Sequence, residues 1–127
     1  MQRSDTILAC RPTLDLESTA EQTTEEQFQN TTLRPILKLQ HELLIARFSN
    51  DPLTMKAKLK AMQLQASQQY ITDRIKKDSK LQRELLGMVT GLFTLSEYEQ
   101  YWPLRAELNR RLLTMLSKRI MSHYHDN

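Results

Sequence analysis

Between residues 24 and 122 the apolar side chains recur at spacings of three and four, the period of one helix face. Leu33, Ile36, Leu37, Leu43, Leu44 and Phe48 form the first such face. Its helix begins near Thr24, where Thr23 with Glu26, or Thr24 with Gln27, fits a capping box. Pro35 interrupts it. Either the helix kinks there, or Thr32 caps a fresh helix with Pro35 in its first turn. Asn50-Asp51-Pro52 closes the segment and opens the next, with Asp51 as N-cap and Pro52 at the first helical position. Residues 53–76 carry a stripe of Leu59, Met62, Ala66 and Tyr70, with Met55 before it. Ile71 and Ile75 are offset from it, which allows a bend or a break near Ser67. Asp78 caps residues 79–90, where Leu81, Leu85, Met88 and Val89 face a core. A short helix over 95–101 ends near Trp102-Pro103. The last helix, 104–122, aligns Leu108, Leu112, Met115, Leu116 and Ile120.

The sharpest local signal lies at Gly87–Tyr98, which holds both glycines of the chain. Gly91 is expected at the left-handed position that ends one helix, with Leu92 after it. Thr94 caps the next, with Glu97 three residues on. Phe93 and Tyr98 have the spacing of a hydrophobic staple. Helix, glycine and helix also outline a helix-turn-helix, with Gly87 at the small position four before Gly91. The second helix is only about two turns long and carries Glu97 and Glu99, which repel phosphate, and it lacks base-reading side chains apart from Ser96 and Gln100. The corner therefore reads as a structural joint between helices.

Two glycines and four prolines are too few for a turn-rich β protein. The expected fold is all-α, an antiparallel bundle of four to five helices over residues 24–127, a single domain by length. Residues 1–23 lack a helical stripe and read as an acidic tail, disordered or strapped onto the body, with Thr13-Leu14-Asp15-Leu16 alternating as an extended segment would. Residues 1–30 carry two basic and six acidic groups, a net of −4; residues 31–127 carry 16 basic and nine acidic, a net of +7. An acidic tail on a basic body favours folding back.

Chemistry is sparse. Cys10 is the one cysteine, so no disulfide forms within the chain and a cytoplasmic setting is expected. No apolar run reaches the roughly 20 residues of a membrane span, and Ile7–Cys10 is too short for a signal-peptide core. No cofactor or metal is expected: His123-x-His125-Asp126 sits at the chain end, and no Glu-x-x-His pair exists for a di-metal core. No phosphate loop or nucleophile elbow is present, so no catalytic residue is assigned. Lys76, Lys77, Lys80 and Arg83 gather round Asp78, and Arg110-Arg111 form a second basic pair without aromatic interleaving. Arg34, His41, Tyr98, Tyr101 and Asn109 flank core stripes and are the candidate lining of a small polar pocket between helices.

The run Phe28–Gln40, then Asp78, Leu81, Arg83, Gly87, Gly91-Leu92-Phe93-Thr94, Glu97-Tyr98 and Tyr101, then Leu108–Arg111 and Met115, resembles a family of short bacterial helical proteins. The likeness covers about residues 25–121, and some members carry the description glyoxalase-related, AraC-type. The resemblance implies an all-helical fold and brings no catalytic residues. Glyoxalase modules need strands bearing His and Glu ligands, and this sequence has no strand pattern. The leading expectation is a non-enzymatic protein-interaction or regulatory module, acting on a protein partner or as a homodimer. The alternatives are a small enzyme or ligand-binding bundle using the polar pocket, and a nucleic-acid binder using the Gly91 corner.

Overall fold

Residues 24–49 are helical without a break in the computed structural model, which describes residues 2–14 and 22–125. Helix α1 spans Arg3–Cys10, α2 Thr24–Phe28, α3 Arg34–Ser49, α4 Pro52–Ala57, α5 Leu64–Lys77, α6 Ser79–Thr90, α7 Leu95–Tyr101 and α8 Arg105–His125. The molecule is all-α, and the described residues contain no strand. Nor do they contain a helix long and apolar enough to cross a membrane.

A π turn over Gln29–Leu33 joins α2 to α3. Its cause is Pro35, whose ring would clash with the carbonyl four residues back and which has no amide to donate. Widening the turn relieves both, and the Arg34 amide reaches back five residues to the Gln29 carbonyl. Thr32 caps nothing. It lies buried inside the π turn, with its hydroxyl turned to Glu97.

Helix α6 packs on α3, α5 and α8, and α8 packs on α3 and α5 as well, so these four close round one core. Leu33, Ile36, Leu37, Phe48, Ile71, Ile75, Leu85, Val89 and Leu116 are wholly buried in it. Three expected core positions, Leu43, Met55 and Ala66, are not there. Leu43 is 56% exposed and Met55 62% exposed. The 53–76 helix also breaks earlier than Ser67. Lys58 adopts a left-handed conformation (φ 53°), a short 3-10 turn follows over Leu59–Ala61, and Met62 is extended before α5 begins. The break resets the helical phase. The buried stripe of α5 is therefore Ser67, Ile71 and Ile75, and Ala66 faces solvent.

One guanidinium ties two helix starts together. Arg74 donates to Asp51 Oδ1 (3.0 Å) and to Asp78 Oδ2 (3.0 Å). Asp51 also accepts the Leu53 amide at the start of α4, and Asp78 the Leu81 amide at the start of α6. Burial pushes the Asp51 pKa up, but hydrogen bonds from Arg74, Arg47 and Leu53 outweigh it and hold the pKa below the usual Asp value. Asp78 is lowered chiefly by the Leu81 amide, with Arg74 adding to it.

The N-terminal segment contains a helix that hydrophobic periodicity does not announce, because no residue of α1 is buried. Asp15, Glu17 and Glu21 of the acidic tail, and the Asp15-Leu16 half of the alternating stretch, lie outside the described residues, as does Asp126.

Candidate functional site

The Gly87–Tyr98 corner is built from caps, with one departure from expectation. Thr94 accepts the Glu97 amide and Glu97 accepts the Thr94 amide, a complete capping box. Gly91, however, is right-handed (φ −61°), so it is no left-handed helix stop. Glycine is wanted there for space: a Cβ would sit 2.9 Å from the Gly87 carbonyl oxygen. Gly87 itself has nothing within 4 Å of an added Cβ. The Phe93–Tyr98 staple is not among the aromatic contacts of the described residues. Phe93 packs edge-on against Phe28 (5.5 Å) and Tyr101 (5.3 Å), and Tyr98 lies against Tyr101 and Trp102.

The N-terminal segment fastens onto this corner through two arginines. Arg11 makes a bidentate pair with Glu97, both bonds at 2.5 Å, and donates to the Leu92 carbonyl at 2.9 Å. Arg3 donates to the carbonyls of Phe93 (2.7 Å) and Gly91 (2.9 Å). Carbonyls just beyond a helix C-terminus lack intrahelical partners, and cations suit that end of the dipole. Burial raises the Glu97 pKa, but hydrogen bonds from Arg11, Thr94 and Thr32, with the charge of Arg11, hold it below the usual value. With Glu97 so engaged, α7 offers solvent Leu95, Ser96, Tyr98, Glu99 and Gln100, and it contains no lysine or arginine.

The candidate site lies between the α3 side and α8. A cleft of about 640 Å³ is lined by Gln29, Arg34 and His41 from one side and by Arg110, Arg111, Thr114, Met115, Lys118, Arg119 and Ser122 of α8 from the other. Arg111, Met115, Lys118 or Arg119, and Ser122 share one face of α8 at four-, three- or four-residue steps. Arg111 Nη1 donates to Gln29 Oε1 (3.0 Å), and Arg34 Nε to Asn30 Oδ1 (2.8 Å). The π turn thus supplies both Gln29 and the partner of Arg34. Arg119 Nη1 donates to His41 Nδ1 (3.1 Å). That bond requires Nδ1 to be the unprotonated nitrogen, which leaves the ring proton on Nε2. Burial, then the positive charge of Arg34, lowers the Arg119 pKa. Glu107 at the far end accepts from Arg110 and Arg111, which bring its pKa to about 2.

The five expected pocket residues separate into two groups. Arg34 and His41 line the cleft. Tyr101 instead donates to Asn109 Oδ1 at 2.6 Å, and Tyr98 is 42% exposed beside Trp102. Asn109 is two residues from Arg111, and positions two apart on a helix look in opposite directions. No family model, curated protein or solved structure matches this chain. The likeness to short bacterial helical proteins therefore rests on the quoted residues alone. Among the described residues no three His, Cys, Asp or Glu side chains gather as a metal would need. His125 Nε2 lies 2.5 Å from Ser67 Oγ, which also donates to the Leu64 carbonyl. With its one proton given to Leu64, Ser67 accepts from His125, which makes this a tie between α5 and α8.

Proposed function

We propose that this protein is a non-enzymatic binding module whose α3–α8 cleft takes an anionic ligand. One observation carries the reading: Arg34, Arg110, Arg111, Lys118 and Arg119 line a single cleft, and Arg34 and Arg119 lie close enough for one to depress the pKa of the other. Folding alone does not favour gathering like charges, and perturbed groups in clefts mark functional sites. A volume near 640 Å³ suits a small molecule. The exposed thiol of Cys10 fits a reducing, cytoplasmic setting.

The test is thermal unfolding of the full chain in sulfate and citrate against chloride at equal ionic strength. Such anions stabilise many proteins by exclusion from the surface, so the readout is the difference between the native chain and Arg119→Gln. A larger upshift in the native chain supports binding, and equal upshifts refute it.

A second reading, self-association or a protein partner, is supported by Leu43, Leu53 and Met55, each more than half exposed. Sedimentation of a strict monomer at high concentration, with no change in Leu43→Ser, would remove the homodimer.

A further inference from the structure

We infer, resting on the anion-binding reading above, that the ligand is a small organic phosphomonoester. Its phosphate sits among Arg34, Lys118 and Arg119, and its organic part lies over Met115.

The cations of the cleft are not equivalent. Arg110 and Arg111 already share Glu107, at 2.6 and 2.9 Å. Arg34, Lys118 and Arg119 make no ion pair among the described residues. Three positive charges without an ion pair among the described residues exceed what one carboxylate neutralises. A phosphomonoester brings about −1.5 to −2 charges near neutral pH and three acceptor oxygens. Arginine forks match pairs of phosphate oxygens. The neutral donors needed to complete the shell are at hand in the Nε2–H of His41 and the Ser122 hydroxyl, both in the lining.

The rest of the cleft fits an organic group. Its volume of about 640 Å³ is far larger than a bare phosphate needs. Met115, flexible and polarizable, lies between the two ends. Arg111 and Arg119 are eight residues apart on α8, about 12 Å along its axis. Gln29 and Arg111 therefore meet the far end of the ligand with polar groups while its phosphate occupies the near end. A nucleic-acid strand is disfavoured, since no Phe, Tyr or Trp ring lines the cleft to stack successive bases.

Calorimetric titration of the full chain decides the matter, with phenyl phosphate, benzoate, inorganic phosphate and a short mixed-sequence DNA strand as probes. Phenyl phosphate is expected to bind once per chain, about tenfold or more tighter than benzoate, and tighter than inorganic phosphate. Arg34→Gln and Arg119→Gln should each weaken it about tenfold. Arg83→Gln, on exposed α6 surface away from the cleft, should leave it unchanged. Arg34 is exposed, so its variant keeps the fold and decides the question even if Arg119→Gln unfolds. Benzoate binding as tightly as phenyl phosphate overturns the phosphate class and leaves the anion reading standing. Inorganic phosphate binding as tightly overturns the organic part. Tight, steeply salt-dependent binding of the DNA strand overturns the proposal in favour of nucleic acid. Binding of none of the four overturns both readings.

Discussion

Arg11→Ala is expected to release the N-terminal segment while the helical core stays folded. Helix α1 has eight residues and none is buried, and isolated helices shorter than about 12 residues are marginal in water. Its order therefore depends on its polar ties. Arg11 supplies the strongest of them, the bidentate pair with Glu97 and the bond to Leu92. Removing one partner of a rigidly buried ion pair costs about 3–5 kcal/mol, because the other charge is trapped. Here the trap is weaker. Glu97 keeps the Thr32 hydroxyl and the Thr94 amide. Among the described residues Arg11 Nε is already buried without a partner, a deficit of about 1–3 kcal/mol that the substitution removes. The net loss is then about 2 kcal/mol, or roughly 6–10 °C in Tm at this chain length. It cannot exceed the free energy with which the segment docks. The double variant Arg3→Ala/Arg11→Ala should therefore cost little beyond the single one, a clear departure from additivity. Amide hydrogen exchange read by mass spectrometry, alongside thermal unfolding, checks this. Residues 3–10 should lose protection while α8 keeps it. Retained protection in α1, or an additive double variant, would refute the reasoning.

Gly87→Ala should stabilise the protein by about 0.5–1 kcal/mol in urea unfolding, since the added methyl meets open space inside a helix. Gly91→Ala should lose that benefit or destabilise, because its Cβ would meet the Gly87 carbonyl at 2.9 Å. Leu116→Ala, at a wholly buried position, should cost about 2–5 kcal/mol by the same assay. Asp51, Asp78 and Glu97 all have folded pKa values below their ordinary ones. Their contribution is therefore complete at neutral pH and is lost as pH falls, below about 4.5 for Glu97 and below about 3.8 for Asp51 and Asp78, their ordinary values. Thermal midpoints measured from neutral pH downward should stay level and then drop, with a shallower drop in Asp51→Asn.

Caps were the most legible features. Asp51, Asp78 and the Thr94–Glu97 box act within three residues of themselves, so sequence alone contains the whole interaction. The core stripe of α8 was equally plain, because an unbroken helix keeps its phase. The break at Lys58 gave no warning: left-handed residues are usually announced by Gly or Asn, and lysine announces nothing. The Arg11–Glu97 pair joins residues 86 apart in sequence, and nothing local marks it. The cleft was half visible. Arg34 and His41 stood out as polar residues beside a core stripe, but the cations of α8 looked like ordinary complements to a helix C-terminus. Only the packing of α3 on α8 sets Arg119 beside His41.

The wide turn before Pro35 amounts to one extra residue threaded into an otherwise regular helix. Everything N-terminal to it is rotated by about 100° relative to an uninterrupted helix, one residue's share of a turn. Phe28 in the aromatic cluster takes its bearing from that offset, while Gln29 at the cleft and Thr32 at Glu97 sit within the wide turn itself. A single missing amide hydrogen thus sets the angular alignment of the segment that links corner to cleft. A Pro35→Ala chain with Thr31 deleted would restore both the count and the bearings in a plain α-helix, whereas either change alone would leave them one residue out of step or dependent on a wide turn that nothing now enforces.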